Sequence, residues 1–337
     1  MYLVTGANGF IGSAMVWELN QKGIFDLLCV DTVSIGDRSL PLAGAQYSRF
    51  LYTHELMDYL QKLSPSQTRD VKAVFHMGAC SSTTEMDKDF LYRNNTLYTQ
   101  NLFTWCRENK IPFIYASSAA TYGMGELGFS DQTDPEKLKP LNPYGESKVA
   151  FDRWVVKLDP AETPWYGLRF FNVFGPNEYH KGPMASLVFK AFHQIKEKKE
   201  LGLFKSNHPD YKDGMQLRDF VYVKDITRWM WELYEKRPPS RIYNMGYGKA
   251  HTWLDLAAAA FSSLDLPLKI KWLEMPDNIK NQYQNFTEAD MSQWFKVGMS
   301  HPQWNLEDGI RDYIKIYLQP EHNIFHKTIP SSPEAMS

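Results

Sequence analysis

A glycine-rich turn near the start of the chain constrains the fold more than any other feature of the sequence. A short apolar run is followed by Gly6, Gly9 and Gly12 in the spacing Gly-x-x-Gly-x-x-Gly, and apolar residues then recur at helical spacing. The first glycine permits a tight turn after a strand, the second lets the backbone approach a pyrophosphate, and the third lets the helix lie against the strand. The first N–H groups of that helix would face the anion. The pattern predicts a strand–turn–helix unit that binds a dinucleotide.

The next predicted strand, 26–31, ends in a carboxylate, as this interpretation requires. Asp31 is placed to accept hydrogen bonds from the hydroxyls of a ribose and to repel a 2′-phosphate. Arg38 follows in the loop, where it could neutralise such a phosphate. The two residues therefore give conflicting indications of whether the cofactor is NAD or NADP.

Strands and helices alternate through the first half of the chain. Buried strands are predicted at 71–76, 112–116 and 165–171, and helices at 54–63 and 90–108. This alternation favours an α/β fold, in which a Rossmann-type, doubly wound parallel sheet is covered by helices on both faces. Because ligands of such sheets lie beyond the carboxyl ends of the strands, we expect the loops that follow the first two of these strands to line the cofactor cleft.

The regular alternation loosens past Pro176. We therefore predict a dinucleotide-binding domain at 1–176, with later returns to it near 216–250. A smaller C-terminal substrate domain, interleaved with the first, is predicted at 177–318. The tail at 319–337 is expected to be poorly ordered or docked on a neighbour.

Composition excludes several classes of function. The 37 lysines and arginines nearly balance the 39 aspartates and glutamates, so that no nucleic-acid partner is expected. No apolar run approaches the length of a membrane span, and the first strand begins too early for a signal peptide. Three cysteines cannot all pair, which favours a reducing compartment. The sequence predicts a cytoplasmic protein with no membrane partner and no metal site.

Tyr144 and Lys148 are the first candidates for catalysis. They are one helical turn apart and so share a face of the predicted helix. A free tyrosine has a pKa of about 10, and a nearby ammonium would lower it. Lys148 could also hold the ribose next to a nicotinamide, and Ser118, at a predicted strand end, could hydrogen-bond the same substrate oxygen as Tyr144.

These motifs together resemble the extended short-chain dehydrogenase/reductase family. The resemblance rests on the glycine turn, on Tyr144-x-x-x-Lys148 and on the stretch 218–225, and it extends from about Leu3 to Tyr317. Narrower motifs at 78–85, 115–123, 180–186 and 283–287 resemble those of epimerases that act on ADP-linked heptoses.

The resemblance implies a reaction and its groups. A bound NADP, with NAD as the alternative, would oxidise C6 of ADP-glycero-manno-heptose and then reduce it from the other face, for the synthesis of the lipopolysaccharide inner core. Tyr144 would be one acid/base and Lys181 the second, with Ser118 assisting and with the pKa of Lys181 lowered by partial desolvation. The resemblance also implies a homo-oligomer based on pentamers.

The resemblance also implies two sets of binding residues. The residues that would contact the cofactor are Gly6, Gly9, Phe10, Ile11, Gly12, Asp31, Thr32, Arg38, Met77, Gly78, Ala79, Cys80, Ser81, Asn94, Tyr144, Lys148, Val173 and Lys181. Those that would contact the sugar nucleotide are Ser118, Asn172, His180, Pro183, Phe204, Arg218 and Tyr283. Met77 and Pro183 depart from the pattern of the family, which often has an acid and a small polar residue at these positions.

Other functions are compatible with parts of this pattern. A 4,6-dehydratase needs an acid and a base at the strand end, where Ala119 and Ala120 supply neither. A UDP-hexose 4-epimerase works with the tyrosine alone, so that Lys181 discriminates it from the favoured reaction. A catalytically silent dinucleotide sensor has no need of Ser118 and Tyr144. Arg218 also has a simpler interpretation, a surface ion pair with a neighbouring aspartate.

Overall fold

The computed structural model describes residues 1–33, 41–158, 162–280, 283–320 and 323–327. Its strands are β1 Tyr2–Thr5, β2 Leu27–Asp31, β3 Arg49–Tyr52, β4 Ala73–His76, β5 Phe113–Ser118, β6 Trp165–Phe170, β7 Asn172–Phe174, β8 Leu201–Phe204, β9 Leu217–Arg218, β10 Phe220–Tyr222, β11 Arg241–Met245, β12 His251–Thr252 and β13 Ile270–Leu273. Its α-helices are α1 Phe10–Gln21, α2 Thr53–Gln61, α3 Pro65–Asp70, α4 Lys88–Leu91, α5 Tyr98–Glu108, α6 Pro143–Val155, α7 Leu187–Lys198, α8 Val223–Lys236, α9 Trp253–Ser263, α10 Asp277–Lys280, α11 Ser292–Lys296 and α12 Leu306–Asp312.

Seven of these strands form one parallel sheet, in the order β11-β6-β5-β4-β1-β2-β3. The chain builds outward from β1 to β3 and then continues from β4 on the other side of β1. This arrangement confirms the predicted doubly wound sheet. The reversal of strand order opens a crevice at the carboxyl ends of β1 and β4, where α/β proteins of this type bind their ligands.

Helices cover both faces of the sheet. Leu3 of β1 packs in the same core as α2, α5 and α6, whereas Val4 packs with α1 and α8 on the other face. Successive side chains of a strand point to opposite faces, so that a strand covered on both sides must be apolar at consecutive positions. The strand β2 meets this requirement, because its first four residues are apolar and buried and the carboxylate of Asp31 comes only at its end.

A second apolar core begins beyond β6. It is formed mainly by α7, α9 and α12, with Val188, Leu256 and Ile310 among its buried side chains. Phe10 of α1 belongs to this core, although Met15 of the same helix packs on the sheet. Helix α1 therefore contacts both cores and places the glycine turn where they meet. The division of the chain into domains at 176–177 stays a prediction.

Part of the predicted tail lies against α1 of its own chain. The rings of Trp17 and Phe325 stack with their centroids 4.5 Å apart, and the hydroxyl of Tyr179 donates to the carbonyl of Asn323 at 2.6 Å. The sequence predicts disorder or docking on a neighbour for 319–337; within this range the structure describes 319–320 and 323–327, where the ring of Phe325 is buried, and the prediction for the tail as a whole stays a prediction. Across the described ranges, the structure contains no helix with both the length and the apolar character of a membrane span.

Candidate active site

The glycine turn has the geometry that a bound pyrophosphate requires. Gly6 has φ +64°, in the left-handed region that favours glycine, and a Cβ on Gly12 would lie 2.0 Å from the carbonyl oxygen of Gly6. Helix α1 begins after Gly9, and no side chain among the described residues caps its N-terminus. Its first N–H groups therefore remain available to an anion, and the turn fits the phosphates of a dinucleotide.

A cleft of about 980 Å³ opens beside this turn, between the sheet and the second core. It brings together most of the predicted site residues, namely Gly6, Gly9, Phe10, Ile11, Gly12, Asp31, Thr32, Met77, Gly78, Ala79, Cys80, Ser81, Asn94, Ser118, Tyr144, Lys148, Asn172, Val173, His180 and Lys181. It does not include four others, namely Pro183, Phe204, Arg218 and Tyr283. Arg38 lies outside the described residues.

The carboxylate of Asp31 is held by backbone donors at the end of β2. One oxygen accepts from the N–H of Thr32 at 2.8 Å and of Val33 at 3.2 Å, and the other accepts from the N–H of Asn8 at 2.9 Å. Each carboxylate oxygen has two lone pairs, so that the oxygen facing Asn8 retains capacity for a ribose hydroxyl. The side chain is oriented for this role before any ligand binds.

Tyr144 lies in the first turn of α6, and the residues before it fix the start of this helix. The side chain of Asn142 caps the helix by accepting from the N–H of Gly145 at 2.8 Å, and Pro143 occupies the first position. The nearby hydroxyl of Ser118 lowers the pKa of Tyr144. Burial has the larger effect, however, and the pKa of Tyr144 is raised overall.

This result differs from the sequence-based expectation that Lys148 lowers the pKa of Tyr144. The Lys148 ammonium lies 6.0 Å from the centroid of the Tyr144 ring and donates to the carbonyl of Ala116 at 3.1 Å. Burial lowers the pKa of Lys148 to about 8, against the opposing effect of the Asp152 carboxylate. In this enclosed site, the loss of water has the largest effect on the pKa of both groups, and for Lys148 it outweighs the charge of Asp152.

Asp152 is a residue of this site that sequence reasoning missed. It lies one turn beyond Lys148 on α6 and is completely buried. It accepts from the hydroxyls of Tyr115 at 2.8 Å and Ser117 at 2.9 Å, and from two guanidinium nitrogens of Arg169 at 3.1 Å. The spacing of four residues from Lys148 was the available signal. This network ties α6 to β5 and β6 beneath the catalytic candidates.

Lys181 reaches the cleft from a short 3-10 turn, Tyr179–Met184, that follows β7. Its ammonium lies 5.6 Å from the centroid of the Phe10 ring at the start of α1. Burial lowers the pKa of Lys181 and the carboxylate of Glu178 raises it, so that the net direction agrees with the expected desolvation. Two candidate proton-transfer groups thus line one cleft, from different elements of the fold.

Arg218 does not make the surface ion pair that its neighbours in the sequence allow. It is 7% exposed, and its guanidinium stacks over the rings of Trp253 at 5.5 Å and Tyr283 at 5.1 Å. Asp219 instead accepts from the backbone N–H of Tyr247, among others, and Asp225 pairs with Arg228. Trp253, which was not predicted, lines the cleft and donates to the hydroxyl of Tyr283 at 2.8 Å.

Pro183 and Phe204 lie on elements next to the cleft. The carbonyl of Pro183 accepts from the ammonium of Lys190 at 2.6 Å, which holds the end of the 3-10 turn against α7. Phe204 ends β8 and pairs with Leu273 of β13. Their proposed contacts with a substrate stay predictions.

Comparisons with known proteins agree with this geometry. The profile of the NAD dependent epimerase/dehydratase family matches residues 2–246. The chain is 46% identical over 330 residues to a protein of Fusobacterium nucleatum named ADP-L-glycero-D-manno-heptose-6-epimerase, with 95% of this chain and 99% of the relative covered. It is 47% identical over 322 residues to a protein of the same name from Nitratidesulfovibrio vulgaris, with 94% and 98% covered.

A solved structure supports the same assignment. The crystal structure of the Helicobacter pylori ADP-L-glycero-D-manno-heptose-6-epimerase is similar with a TM-score of 0.78 and 26% identity, over 93% of this chain and 94% of that one. The family match covers the whole glycine turn, Tyr144 and Lys148 on α6, and Lys181 in the 3-10 turn. The chain therefore belongs to the NAD dependent epimerase/dehydratase family.

Proposed function

We infer that this protein is a nucleotide-sugar epimerase that inverts C6 of ADP-glycero-manno-heptose. The observation that carries this inference is that Tyr144 and Lys181 line a single cleft beside a dinucleotide-binding turn. Support also comes from relatives that carry the name of this reaction at 46% and 47% identity over nearly their whole length. The product would enter the synthesis of the lipopolysaccharide inner core, in the cytoplasm.

The residues of the turn and of β2 would hold the cofactor. A bound nicotinamide dinucleotide supplies the reversible oxidant that inversion of a carbinol carbon needs. The N–H groups at the start of α1 would bind its pyrophosphate, and Asp31 a ribose. Lys148 would bind the ribose next to the nicotinamide. It lines the same cleft, and its ammonium, which donates to the carbonyl of Ala116, has further N–H donors for a ribose hydroxyl.

Tyr144 and Lys181 would transfer the proton of the C6 hydroxyl. The oxygen on C6 must occupy different places before and after inversion, because opposite faces of the same carbon are used. One group takes the proton from the hydroxyl in the first position, and the other returns a proton to the oxygen in the second. Ser118 would hydrogen-bond the same oxygen, since it lines the cleft with Tyr144 and its hydroxyl lowers the pKa of Tyr144.

The remaining candidates would bind the sugar nucleotide. Asn172 and His180 line the cleft with exposed side chains. Arg218 would bind the diphosphate through its planar fork of donors, with Tyr283 beside it. The guanidinium of Arg218 stacks on the rings of Trp253 and Tyr283, and these two aromatic side chains would hold it in place for the diphosphate.

For the cofactor we propose NADP in preference to NAD. The family is named for its dependence on NAD, which supports a nicotinamide dinucleotide of either kind. The preference for NADP comes from Arg38 and from the resemblance to heptose epimerases, against the indication of Asp31. Mass spectrometry of the cofactor released from purified protein tests this proposal, and recovery of NAD alone would refute it.

NMR of the purified enzyme with ADP-D-glycero-manno-heptose tests the function directly. We expect a time-dependent change in the C6 signals with no net change in the cofactor. Turnover of UDP-galactose in place of ADP-heptose would favour the 4-epimerase, and an absence of turnover with cofactor bound would favour the sensor. We also propose a homo-oligomer based on pentamers, which sedimentation analysis of the same sample tests.

A further inference from the structure

We propose that Glu178 is a positioning residue for Lys181: its carboxylate closes the turn that carries Lys181 and contributes a negative charge to the same part of the cleft. The proposal rests on the proposed function, in which Lys181 transfers a proton at C6. Glu178 lies three residues before Lys181 and lines the same cleft. No motif in the sequence analysis singled it out.

The carboxylate of Glu178 joins the two ends of the segment 175–186. It is 1% exposed. One oxygen accepts from the N–H of Ser186 and the other from the Ser186 hydroxyl, both at 2.6 Å, and the second oxygen also accepts from the N–H of Gly175 at 3.4 Å. Hydrogen bonds to a charged group are among the strongest in proteins. A single side chain therefore ties the end of β7 to the first residue of α7.

The segment between these anchors needs such support, because its backbone is irregular. The N–H of Lys181 donates to the carbonyl of Glu178 at 2.9 Å, which starts the 3-10 turn. Gly182 then has φ +52°, outside helical geometry, and breaks the turn immediately after Lys181. Regular helical hydrogen bonding cannot continue through Gly182, so that the position of Lys181 depends on the contacts that hold the segment at its ends.

Ser186 extends this anchoring into α7. Its hydroxyl caps the helix by accepting from the N–H of Phe189 at 3.2 Å, while it donates to Glu178. Ser186 thus links the carboxylate to the start of a helix of twelve residues. Movement of Glu178 would loosen both the cap and the turn that carries Lys181.

The charge of Glu178 acts on Lys181 in a definite direction. Burial lowers the pKa of Lys181, and Glu178 opposes this effect. Lys190 of α7 faces the same carboxylate, and the phenols of Tyr179 and Tyr313, whose pKa values burial raises, stay neutral beside it. On the other side of Lys181, α1 contributes the uncharged ring of Phe10. Burial raises the pKa of Glu178, and the hydrogen bonds from Ser186 and Gly175, together with the charge of Lys181, oppose this effect and favour the carboxylate.

The variant Glu178→Gln tests both parts of the proposal, because it removes the charge and keeps the shape. We expect kcat for ADP-heptose to fall about 10- to 100-fold with little change in KM, since a small displacement of a reacting group has effects of this size. The pKa of Lys181 should fall, by about 1 or more, because a neighbouring opposite charge is lost. The direct measurement is the pH dependence of acetylation of Lys181 by acetic anhydride, quantified by peptide mass spectrometry.

Two further variants separate charge from anchoring. Ser186→Ala removes a donor to Glu178 but keeps its charge, so that kcat should fall without a decrease in the pKa of Lys181. Glu197→Gln removes an exposed carboxylate of α7 and should change neither quantity. Cofactor content and circular dichroism, measured for every variant, identify any that fail to fold. If Glu178→Gln does not fold, kcat of Ser186→Ala tests whether the hydrogen bonds between Glu178 and Ser186 position Lys181.

The outcomes distinguish this proposal from the proposed function. An unchanged pKa of Lys181 in Glu178→Gln would overturn the role of the charge, and unchanged kcat in both Glu178→Gln and Ser186→Ala would overturn the role in positioning. If instead the wild-type protein does not turn over ADP-heptose, the proposed function fails while acetylation still reports whether Glu178 controls Lys181.

Discussion

The side chain of Asn95 donates a hydrogen bond to the hydroxyl of Ser147 at 3.0 Å. Asn95 lies in a π-helical turn, Tyr92–Leu97, between α4 and α5, whereas Ser147 lies between Tyr144 and Lys148 on α6. The same amide donates to the carbonyl of Cys80 and accepts from its N–H, at 3.0 and 2.8 Å. One buried side chain therefore joins the loop after β4 to the helix of the catalytic candidates. Single π-helical turns within α-helices frequently occur at functional sites.

We predict that Asn95→Ala destabilises the protein and weakens cofactor binding. The change leaves the N–H and carbonyl of Cys80 without their buried partner, which costs about 1–3 kcal/mol for each group left unsatisfied. Urea denaturation and titration with NADP measure the two effects. Asn101→Ala, at an exposed position of α5, is the matched control. Wild-type stability and cofactor affinity in Asn95→Ala would show that this contact is dispensable.

We predict that Ser118→Ala shifts the pH dependence of catalysis to higher pH. The hydroxyl of Ser118 lowers the pKa of Tyr144, so that its removal raises this pKa further. Less of the phenolate is then present at neutral pH, and kcat falls there. The pH profile of kcat tests the direction, with Ser66→Ala, exposed at the start of α3, as control. A pH profile of kcat that moves to lower pH would contradict the assignment of the controlling pKa to Tyr144.

We predict that Lys181→Met abolishes epimerisation while cofactor content and fold are retained. Loss of a general acid/base typically lowers the rate about 100- to 10,000-fold. Kinetics with ADP-heptose and analysis of the bound cofactor measure the two quantities. Lys198→Met, at an exposed position of α7, removes the same charge away from the cleft and should leave both unchanged. Retention of most of the wild-type kcat would favour the single-tyrosine mechanism of the 4-epimerase.

We predict that Arg218→Ala raises KM for ADP-heptose without changing the cofactor content. It should also lower stability, because the guanidinium stacks on Trp253 and Tyr283 and donates to the carbonyls of Leu217 and Gln284. Each cation–π contact of this kind is worth about 0.5–2 kcal/mol. Arg218→Lys keeps the charge but loses the planar fork of donors. Its KM should therefore lie between that of Arg218→Ala and that of the wild type.

Calorimetric titration with ADP measures the contribution of Arg218 to binding separately from its contribution to stability, and it does not depend on turnover. Arg311→Ala, exposed on α12, is the control for loss of a surface guanidinium. An unchanged KM together with an unchanged affinity for ADP would restrict Arg218 to a structural role between the two rings.

Much of this protein could be predicted from short stretches of its sequence. The spacing of Gly6, Gly9 and Gly12 reflects a local backbone requirement, because Gly6 has a left-handed φ and a Cβ on Gly12 would meet the carbonyl oxygen of Gly6. Tyr144 and Lys148 share a face through the period of a single helix. The alternation of apolar strands and amphipathic helices likewise indicated the doubly wound sheet, which the strand order confirms.

The contacts that orient these groups could not be predicted in this way. Asn95 and Ser147 are separated by 52 residues in the chain, and Arg169 of β6 reaches Asp152 of α6. The loop between Glu178 and Ser186 has no repeating pattern that would indicate their hydrogen bonds. Such pairs are brought together by the packing of whole elements, which local spacing does not describe.

The sequence by itself determined the glycine turn, the alternation of strands and helices, and the position of Tyr144 and Lys148 on one helix face, because each depends on neighbouring residues along the chain. Lys181, the other proton-transfer candidate, came from the family resemblance. Only the tertiary structure decided how those candidates ionise and how they are held. Burial raises the pKa of Tyr144 and lowers that of Lys148 and Lys181. The exclusion of water that causes these shifts arises from elements far apart in the sequence, which meet only when the two cores pack together.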